Sequence, residues 1–352
     1  PVFAAVQEAQ RLLAQEETTK AYLPPAGDPL FNQGIQRLVL GDDCSALAGG
    51  RVTSIQTPGG CGALRIAAEV IHAAAPDARV WVSDPTWPVH IPLLGSVGLA
   101  FQTYRYYEPL THGVNFDGMV EDLKAARAGD IVLLHGCCHN PCGADLTLQQ
   151  WGVIADMAQQ QGFTPFIDIA YQGLGDGLDE DAAGLRLLVS RLPEVIVAAS
   201  CSKNLGLYRE RTGAAIFVCS GESNANAILS QALVAARRVY SMPPAHGALL
   251  AGRILADERL GAMWRAELQA MCQRINGLRS SLRHALERYS GADFAFIEQE
   301  KGMFSFLGLS VEQAVRLREE DAVYMLNSSR INVAGVNANN LDYLAKAVAR
   351  VL

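Results

Sequence analysis

Apolar residues at the start of the chain recur at intervals of three and four positions. Residues 2–15 follow this spacing, which is typical of a helix that buries one face. Residues 16–29 are mostly polar and rich in turn formers, so we expect a connection there. A second helix is predicted from Pro29 to Gly41.

From residue 51 onward, short β-rich runs alternate with longer amphipathic stretches, which is typical of βαβ units. Strands are predicted at 51–57, 78–84, 100–107, 130–136, 164–171, 194–202 and 213–220. Helices are predicted between them at 62–75, after Trp87, at 116–128, at 146–162 and at 181–192. Several strands are almost continuously apolar, as expected for strands covered on both faces.

The C-terminal third has a different pattern. A long helical region over 223–289 contains two predicted breaks, SMPPAHG and GAMW. The runs at 294–310 and 329–337 read as strands of a second domain. We therefore expect an α/β fold: a large domain, 1–270, with a mostly parallel central sheet covered by helices on both faces, and a smaller α/β domain, 271–352.

Composition supports a large buried core and limits the partners. The chain has 352 residues, 50% hydrophobic and 18% charged, and its formal net charge of -7 argues against a nucleic-acid or anionic-membrane partner. Its longest apolar runs fall short of the roughly 20 residues of a membrane span. Eight cysteines without a disulfide-framework pattern predict reduced thiols in the cytoplasm. The sequence begins at Pro1 without Met, and we expect an N-terminal arm upstream of it.

Two charged residues stand at the ends of apolar strands, where open α/β sheets bind ligands. Lys203 follows the strand 194–202, with Arg211 eight residues later; alone, this pattern is more typical of a surface cation. Asp168 lies inside the strand 164–171, where a carboxylate is costly unless a cation meets it. By itself it favours a helix-capping or ion-pairing aspartate. The functional alternative is an anion that keeps a heterocyclic nitrogen protonated.

Two loops add further candidates. TPGGCGALR is a glycine-rich turn between a strand and a helix, where first-turn N–H groups can bind a phosphate, although it lacks the dinucleotide fingerprint. HGCCHNPCGADLT places Asn140 before a proline. Its cysteines, Cys137, Cys138 and Cys142, lack the paired spacing of zinc knuckles, so we interpret them as buried thiols and predict no metal site.

The order of these motifs resembles that of the fold-type I pyridoxal-phosphate aminotransferases, in particular the aspartate and aromatic-amino-acid branch. The likeness covers nearly the whole chain. It is carried by the segments TPGGCGALR, SDPTWPVH, HGCCHNPCGADLT, DIAYQGL, SCSKNLGLYRER, YSMPPAHG, GMFSF and SRINVAG. Eight motifs in one order are specific, whereas one alone is not.

The resemblance implies transamination between an amino acid and a 2-oxo acid such as 2-oxoglutarate, in two half-reactions. Lys203 is then expected to form the aldimine with pyridoxal 5'-phosphate and to move a proton at the substrate α-carbon. Asp168 is expected to pair with the pyridinium nitrogen, with His90 behind it. Residues 1–270 are accordingly the cofactor-binding domain.

The resemblance also assigns the other cofactor contacts. Tyr171 and Asn140 are expected to hydrogen-bond the cofactor's phenolic oxygen, and Trp87 is expected to stack on its ring. The residues expected around the phosphate are Gly60, Cys61, Ser200, Ser202, Arg211 and, from the partner subunit, Tyr22. A homodimer with shared active sites follows from this assignment.

Two arginines are the expected substrate ligands, because a planar guanidinium matches a carboxylate with two parallel hydrogen bonds. Arg330 is expected to bind the α-carboxylate. Arg237 is expected to cross from the partner subunit to a side-chain carboxylate, with its neighbour Arg238 as the alternative. The other expected substrate contacts are Asn140, Trp87 and Phe304.

Several positions depart from the family pattern. Cys61 stands where Thr or Ser is usual, and Cys142 stands in place of Thr. Ala21, Val89 and Met242 occupy places where strict aspartate enzymes tend to have Asn. A less polar pocket favours an aromatic or broad-range enzyme that accepts tyrosine and phenylalanine as well as glutamate.

Two alternatives remain at this stage. The first is another pyridoxal-phosphate reaction on the same scaffold, such as that of a lyase or a decarboxylase; the two arginines favour transamination over it. The second is a ligand-binding module of a transcription factor, although the chain contains no basic helix-turn-helix segment and retains the lysine.

Overall fold

The computed structural model describes residues 2–352; Pro1, which begins the predicted large domain, lies outside the described residues. Its helices are α1 (Ala4–Glu16), α2 (Pro29–Leu40), α3 (Ser45–Ala48), α4 (Gly59–Ala74), α5 (His90–Gly95), α6 (Phe116–Leu123), α7 (Leu148–Gln161), α8 (Ala183–Arg191), α9 (Glu222–Val239), α10 (Ala245–Ala256), α11 (Glu258–Ser290), α12 (Phe296–Gln299), α13 (Val311–Asp321) and α14 (Leu341–Val351). Its strands are β1 (Val52–Pro58), β2 (Arg79–Asp84), β3 (Ala100–Arg105), β4 (Tyr107–Glu108), β5 (Gly113–Val114), β6 (Ile131–His135), β7 (Thr164–Ile169), β8 (Val195–Ser200), β9 (Thr212–Val218), β10 (Phe304–Phe306) and β11 (Arg330–Asn332).

The central sheet has seven strands in the order β1-β9-β8-β7-β6-β2-β3. Strands β8, β7, β6, β2 and β3 run parallel, whereas β9 is antiparallel to both of its neighbours. The predicted α/β fold with a mostly parallel sheet is confirmed. Because parallel strands point their carboxyl ends to one edge, the residues that follow β6, β7 and β8 lie close together.

Local sequence explains where the predicted helix at Pro29 begins. The side chain of Asp28 accepts a hydrogen bond from the backbone N–H of Phe31 at 2.8 Å, which caps the first turn of α2. Pro29 occupies the first helical position, where its missing N–H costs nothing. Gly41 follows the last helical residue with a φ of 87°.

A separate hydrophobic core forms in the C-terminal part of the chain. Its buried residues lie between Leu282 and Val351 and include side chains from α11, α13 and α14. The division into 1–270 and 271–352 stays a prediction, and residue 270 lies inside the continuous helix α11. Among residues 2–352, no helix combines the length and the apolar character needed to cross a membrane.

One of the two predicted helix breaks is wrong. The break at SMPPAHG is confirmed, because α9 ends at Val239 and α10 begins at Ala245. Helix α11, however, runs through GAMW without interruption. The break lies earlier, at Asp257, whose side chain caps α11 by accepting a hydrogen bond from the N–H of Leu260 at 2.8 Å.

The predicted C-terminal strands are much shorter than expected. In 294–310 only Phe304–Phe306 is a strand, and residues Phe296–Gln299 form α12. In 329–337 only Arg330–Asn332 is a strand. In the first segment, carbonyls of Ile297, Gly302 and Phe304 accept hydrogen bonds from the buried Arg279 side chain, so these main-chain groups are satisfied without a longer sheet.

Candidate active site

The carboxyl edge of the sheet carries a cavity of about 260 Å³. Strand β8 leads to Lys203, β7 carries Asp168 and leads to Tyr171, and the loop after β6 carries Asn140. The lining residues are Gly60, Cys61, Leu64, Trp87, His135, Cys137, Asn140, Asp168, Ala170, Tyr171, Ser200, Ser202, Lys203, Tyr208 and Arg211. The structure thus brings together ten of the residues that are predicted to bind the cofactor or the substrate.

Asp168 is held by a chain of hydrogen bonds beneath the cavity. Its Oδ2 lies 2.9 Å from Nε2 of His90, a fully buried ring. The Oγ1 of Thr86 lies 2.8 Å from Nδ1 of His90 and 3.2 Å from Nε2 of His135. Burial alone would raise the pKa of Asp168, but the hydrogen bond from His90 and the electrostatic influence of the neighbouring His90, His135 and Lys203 side chains hold it below its usual value. The carboxylate is therefore ionised at neutral pH.

Lys203 faces this carboxylate across the cavity. Burial lowers the pKa of its amine, with the positive charge of Arg211 acting in the same direction and the Asp168 carboxylate opposing it. Its Nζ lies 4.8 Å from the centre of the Tyr171 ring. A lysine with a lowered pKa carries more of the neutral amine, which is the form that attacks a carbonyl and accepts a proton.

Tyr171 and Asn140 occupy the neighbouring wall. Burial, together with the Asp168 carboxylate, raises the pKa of the Tyr171 hydroxyl, so that it remains a hydrogen-bond donor. Asn140 is buried, and its Oδ1 accepts a hydrogen bond from Nη1 of Arg330 at 3.2 Å. Trp87 lies on the cavity and its ring contacts that of His90 edge-on at 5.3 Å.

The start of α4 also lines the cavity and is a candidate anion site. No side chain caps this helix, which leaves its first-turn N–H groups available beside Gly60 and Cys61. Gly59 has a φ of 70°, which favours glycine, and a Cβ there would lie 2.7 Å from Nη2 of Arg211 and push that guanidinium away from the turn. Backbone N–H groups and an arginine together match a phosphate.

Two serines complete this candidate anion site. The hydroxyl of Ser200 donates to that of Ser202 at 3.2 Å, and both residues are buried. A Cβ at Gly60 would lie 3.1 Å from that of Ser200, so the turn before α4 packs closely against Ser200. Two hydroxyls within the cavity add donors for the same anion.

Arg330 and Phe304 lie beside the cavity, on the paired strands β10 and β11. The guanidinium carbon of Arg330 lies 4.6 Å from the centre of the Phe304 ring, in a cation–π arrangement. Phe304 also contacts Tyr171, with 6.1 Å between ring centres. Arg330 is thereby placed at the mouth formed by Asn140 and Tyr171.

Tyr22 and Arg237 are not part of this cavity. Tyr22 is 88% exposed, and Arg237 lies on the exposed face of α9, where its Nη1 donates to Oγ of Ser241 at 2.7 Å. Within one chain, therefore, these two predicted site residues do not meet the others. The sequence-based expectation assigns both to the partner subunit's site, which a single chain does not test.

Some site residues were not predicted from the sequence. Thr86, His135 and Tyr208 lie inside the segments SDPTWPVH, HGCCHNPCGADLT and SCSKNLGLYRER, but those segments alone assign no role to them. His135 ends an apolar strand in the same manner as Asp168. That position, at the carboxyl end of β6, is the signal that identifies it. Thr86 joins His90 to His135 only because two loops meet, which no local pattern reveals.

The cysteines after β6 are buried free thiols, as expected. Sulfur atoms of Cys137 and Cys138 and a carboxylate oxygen of Asp181 lie within 4.8 Å of one another. Both oxygens of Asp181 already accept hydrogen bonds from backbone N–H groups, at 2.8 to 2.9 Å. The carboxylate is therefore engaged in holding a loop, and we assign no metal to the cluster.

This arrangement fits a planar heterocycle that bears an anionic group. One cavity is lined by a buried carboxylate, by an amine of lowered pKa and by an arginine beside the N-terminus of α4, and the amine is within electrostatic range of both the carboxylate and the arginine. Pyridoxal 5'-phosphate carries a ring nitrogen, an aldehyde and a phosphate, one partner for each of these groups. The residues present therefore fit this cofactor.

Comparisons with known proteins show which family this chain resembles over its whole length. The profile of a family described as Aminotransferase class I and II matches residues 1–348. The chain is 47% identical over 352 residues to the aromatic-amino-acid aminotransferase of Paracoccus denitrificans, covering 100% of this chain and 89% of that protein. It is 44% identical over 353 residues to the aspartate aminotransferase of Escherichia coli (strain K12), with the same coverage.

Solved structures show the same similarity. The aromatic-amino-acid aminotransferase from Burkholderia pseudomallei, covalently bound to pyridoxal phosphate, superposes with a TM-score of 0.98 at 40% identity, covering 100% of this chain and 88% of that one. An aromatic amino acid aminotransferase with 3-indolebutyric acid superposes with a TM-score of 0.97 at 47% identity, covering 100% and 89%.

Proposed function

Since this chain belongs to the class I and II aminotransferase family and is an aminotransferase of the aromatic-amino-acid or aspartate type, we propose that it transfers amino groups with pyridoxal 5'-phosphate held in the cavity around Lys203. The family depends on this cofactor. The observation that carries the proposal is one cavity lined by Lys203, Asp168 and the anion site at the start of α4.

When bound, the cofactor supplies an aldehyde that condenses with amines and a protonated ring that stabilises negative charge at the substrate α-carbon. Lys203 provides the neutral amine, and its Nζ takes a proton from the α-carbon and returns one during the reaction. Its lowered pKa supports this role, because a base works best when its pKa is near the operating pH. Asp168 remains ionised and keeps the ring nitrogen protonated, with His90 orienting the carboxylate.

The remaining contacts orient the cofactor. Tyr171 and Asn140 hold the phenolic oxygen, and Trp87 covers one ring face, so that the reacting bond stays aligned with Lys203. The phosphate is bound by Gly60, Cys61, Ser200, Ser202 and Arg211. A hydrogen bond through sulfur is weaker than one through oxygen, so Cys61 contributes less than a hydroxyl would.

Substrate carboxylates are bound by the arginines. Arg330 binds the α-carboxylate, which its position beside Asn140 and Phe304 supports. Arg237 of the partner subunit binds the distal carboxylate of dicarboxylic substrates. The exposed positions of Arg237 and Tyr22 support an interface at which both enter the neighbouring site, and we infer a homodimer with shared sites.

For specificity, we propose an aromatic or broad substrate range with 2-oxoglutarate as an acceptor. Ala21, Val89 and Met242 lack the amide groups expected at these positions of a strict aspartate enzyme. Relatives of both types, aromatic and aspartate, match the chain. All eight cysteines are free thiols, which supports a reducing, cytoplasmic location. The matches give no support to the lyase or decarboxylase alternative.

The decisive experiment is the absorption spectrum of the protein with pyridoxal phosphate between about 320 and 450 nm, before and after adding an amino acid. We expect a visible band that bleaches with glutamate or phenylalanine in the wild type but not in Lys203→Ala. Efficient turnover of aspartate without turnover of phenylalanine would contradict the proposed range. The absence of a band in the wild type would contradict the cofactor assignment itself.

A further inference from the structure

Arg279 lies outside the cavity, buried on helix α11 with 1% of its surface exposed. Its guanidinium is surrounded by main-chain carbonyls. Nη1 donates to Ile297 at 2.8 Å and Nη2 donates to Phe304 at 2.6 Å. Gly302 accepts from Nε at 3.1 Å and from Nη2 at 2.9 Å, and Lys301 accepts from Nη2 at 3.1 Å. One side chain thus fixes the segment 297–304.

Glu300 is the acidic partner of this guanidinium, and burial raises the pKa of its carboxyl to about 8. Its Oε2 lies 3.5 Å from Nη1 of Arg279, and the hydroxyl of Ser305 donates to the same oxygen. Ser305 also accepts from Nη1 of Arg279 at 2.9 Å. Since Arg279 and Glu300 are each 1% exposed, neither group can exchange its partners for water.

The segment held by Arg279 packs directly on the loop that carries Asn140. The N–H of Lys301 donates to the carbonyl of Gly143 at 2.7 Å. Gly143 has a φ of 76°, and a Cβ there would lie 2.5 Å from the carbonyl oxygen of Phe304. The two backbones are therefore as close as a glycine permits, and a shift of one moves the other.

Arg330 is located by the same two partners. Its guanidinium stacks on the ring of Phe304 at 4.6 Å and donates to Asn140 at 3.2 Å. Strand β11 is paired with β10, where Phe306 lies opposite Arg330. The contacts that place the Arg330 guanidinium are therefore made by the segment 297–304, through Phe304, and by the loop that packs on this segment, through Asn140.

We propose that Arg279 is a positioning residue of the transamination reaction: by holding the segment 297–304 it places Phe304, and through Phe304 it places the Arg330 guanidinium that receives the substrate carboxylate. The inference rests on the proposed carboxylate-binding role of Arg330. Arg279 itself touches neither cofactor nor substrate. Its effect falls on carboxylate affinity rather than on proton transfer at Lys203.

The test compares Arg279→Lys with a matched control, Arg283→Lys. Arg283 lies one turn further along α11 and bonds to the side chains of Glu287 at 2.9 Å and Glu298 at 2.7 Å. It therefore meets the segment 297–304 through the Glu298 carboxylate and not through the main-chain carbonyls that Arg279 holds. The lysine at position 279 keeps the charge but loses the planar fork of donors. The probe is 3-phenylpropionate, a carboxylate without an amino group, titrated into the cofactor-loaded enzyme.

We expect Arg279→Lys to raise the dissociation constant of 3-phenylpropionate and the KM of phenylalanine about tenfold, as for the loss of one or two charge-assisted hydrogen bonds. The kcat and the absorption spectrum of the bound cofactor should stay at wild-type values, and Arg283→Lys should change none of these quantities. Glu300→Gln, which keeps the shape and the guanidinium, should shift the dissociation constant in the same direction by less. This second variant keeps the inference testable if Arg279→Lys does not fold.

A double-mutant cycle with Arg330→Lys tests the positioning role of Arg279 separately from the carboxylate-binding role of Arg330. If Arg279 acts through Arg330, its substitution should have no further effect on the dissociation constant in the Arg330→Lys background. An undiminished effect there, an equal loss in Arg283→Lys, or a fall in kcat with unchanged affinity would overturn the inference. If Arg330→Lys weakens binding and Arg279→Lys does not, only this inference fails. If Arg330→Lys leaves binding unchanged, the proposed role of Arg330 fails and the inference fails with it.

Discussion

Nε2 of His90 lies 2.9 Å from Oδ2 of Asp168, and the imidazole is fully buried. This contact determines the charge at the base of the cavity, because the hydrogen bond from His90 counteracts the effect of burial on the pKa of Asp168. Thr86 and His135 continue the network on the far side of the ring. The carboxylate is thus both ionised and fixed in orientation. Substitutions of Asp168 and of His90 should therefore reduce activity by different amounts.

Asp168→Asn should lower kcat by about a hundredfold or more, because it removes a preorganised charge from the reacting centre. His90→Asn should cost less, roughly tenfold, because the carboxylate remains and only its orientation is lost. Steady-state rates with glutamate and 2-oxoglutarate measure both. Equal losses in the two variants would show that His90 does more than orient Asp168.

The pH at which Lys203 loses its proton offers a second test. Burial lowers the pKa of Lys203 and the Asp168 carboxylate raises it, so the midpoint in the apoprotein should lie below the roughly 10.4 of a free lysine, and lower still in Asp168→Asn. Labelling with a trace of an amine-selective reagent across pH, quantified by mass spectrometry with the exposed Lys124 as reference, measures this midpoint. A midpoint that rises in Asp168→Asn would contradict the electrostatic assignment.

Shared active sites predict complementation between two inactive variants. Lys203→Ala disables the site of its own chain, whereas Arg237→Ala should impair the partner subunit's site for dicarboxylic substrates. A mixed dimer then has one site with both defects and one with neither. Mixing the unfolded variants and refolding them together should therefore recover about a quarter of wild-type activity on glutamate, the value expected from random pairing. Activity no higher than the sum of the two separate preparations would argue against the assignment of Arg237.

Gly213 is packed so closely behind the anion site that adding a side chain there should disturb cofactor binding. A Cβ at Gly213 would lie 2.5 Å from the carbonyl carbon of Gly59 and 2.7 Å from the carbonyl oxygen of Ala199. Gly213→Ala should therefore displace the turn before α4, destabilise the protein by about 1–3 kcal/mol and weaken cofactor binding. Urea unfolding and titration of the apoprotein with pyridoxal phosphate measure the two effects.

Gly277 provides the matched control, because it lies in α11 with open space where a Cβ would be built. Gly277→Ala should leave cofactor affinity unchanged and stabilise the protein by about 1 kcal/mol through helix propensity. A similar loss of affinity in both variants would mean that Gly213 has no special relation to the anion site.

Cys61 allows the affinity of the anion site to be raised. Replacing its thiol with a hydroxyl supplies a stronger hydrogen-bond donor, and one such bond contributes about 1 kcal/mol, so Cys61→Thr should bind pyridoxal phosphate roughly fivefold more tightly. Cys44→Ser, a half-buried cysteine outside the cavity, is the control and should leave the dissociation constant unchanged. Weaker binding by Cys61→Thr would show that the site is fitted to sulfur.

Features that depend on a few neighbouring residues could be predicted from the sequence. The helix α2 begins at Pro29 because Asp28 caps it three residues ahead of its partner Phe31. Strand β8 is an apolar run, and it places Lys203 at the carboxyl edge of the sheet. Where a competing local signal existed, the prediction failed: GAMW suggested a break, although the cap of Asp257 starts α11 before it.

Contacts between distant segments could not be predicted in this way. The pairing of His90 with Asp168 joins residues 78 positions apart, and its existence follows from the resemblance rather than from either local pattern. The bridging position of Thr86 and the exposure of Tyr22 have no local signature at all.

The sequence by itself determined the fold class and the succession of the main strands and helices, because apolar periodicity and helix caps depend on short stretches of chain. The order of its motifs indicated which residues to propose for the chemistry. Only the tertiary structure decided how those residues meet. Arg279 reads as an ordinary helical arginine, yet folding removes it from water and surrounds it with the carbonyls that precede Phe304. A buried charge is stable only where other groups hydrogen-bond to it, and the positions of those groups depend on the packing of the whole molecule.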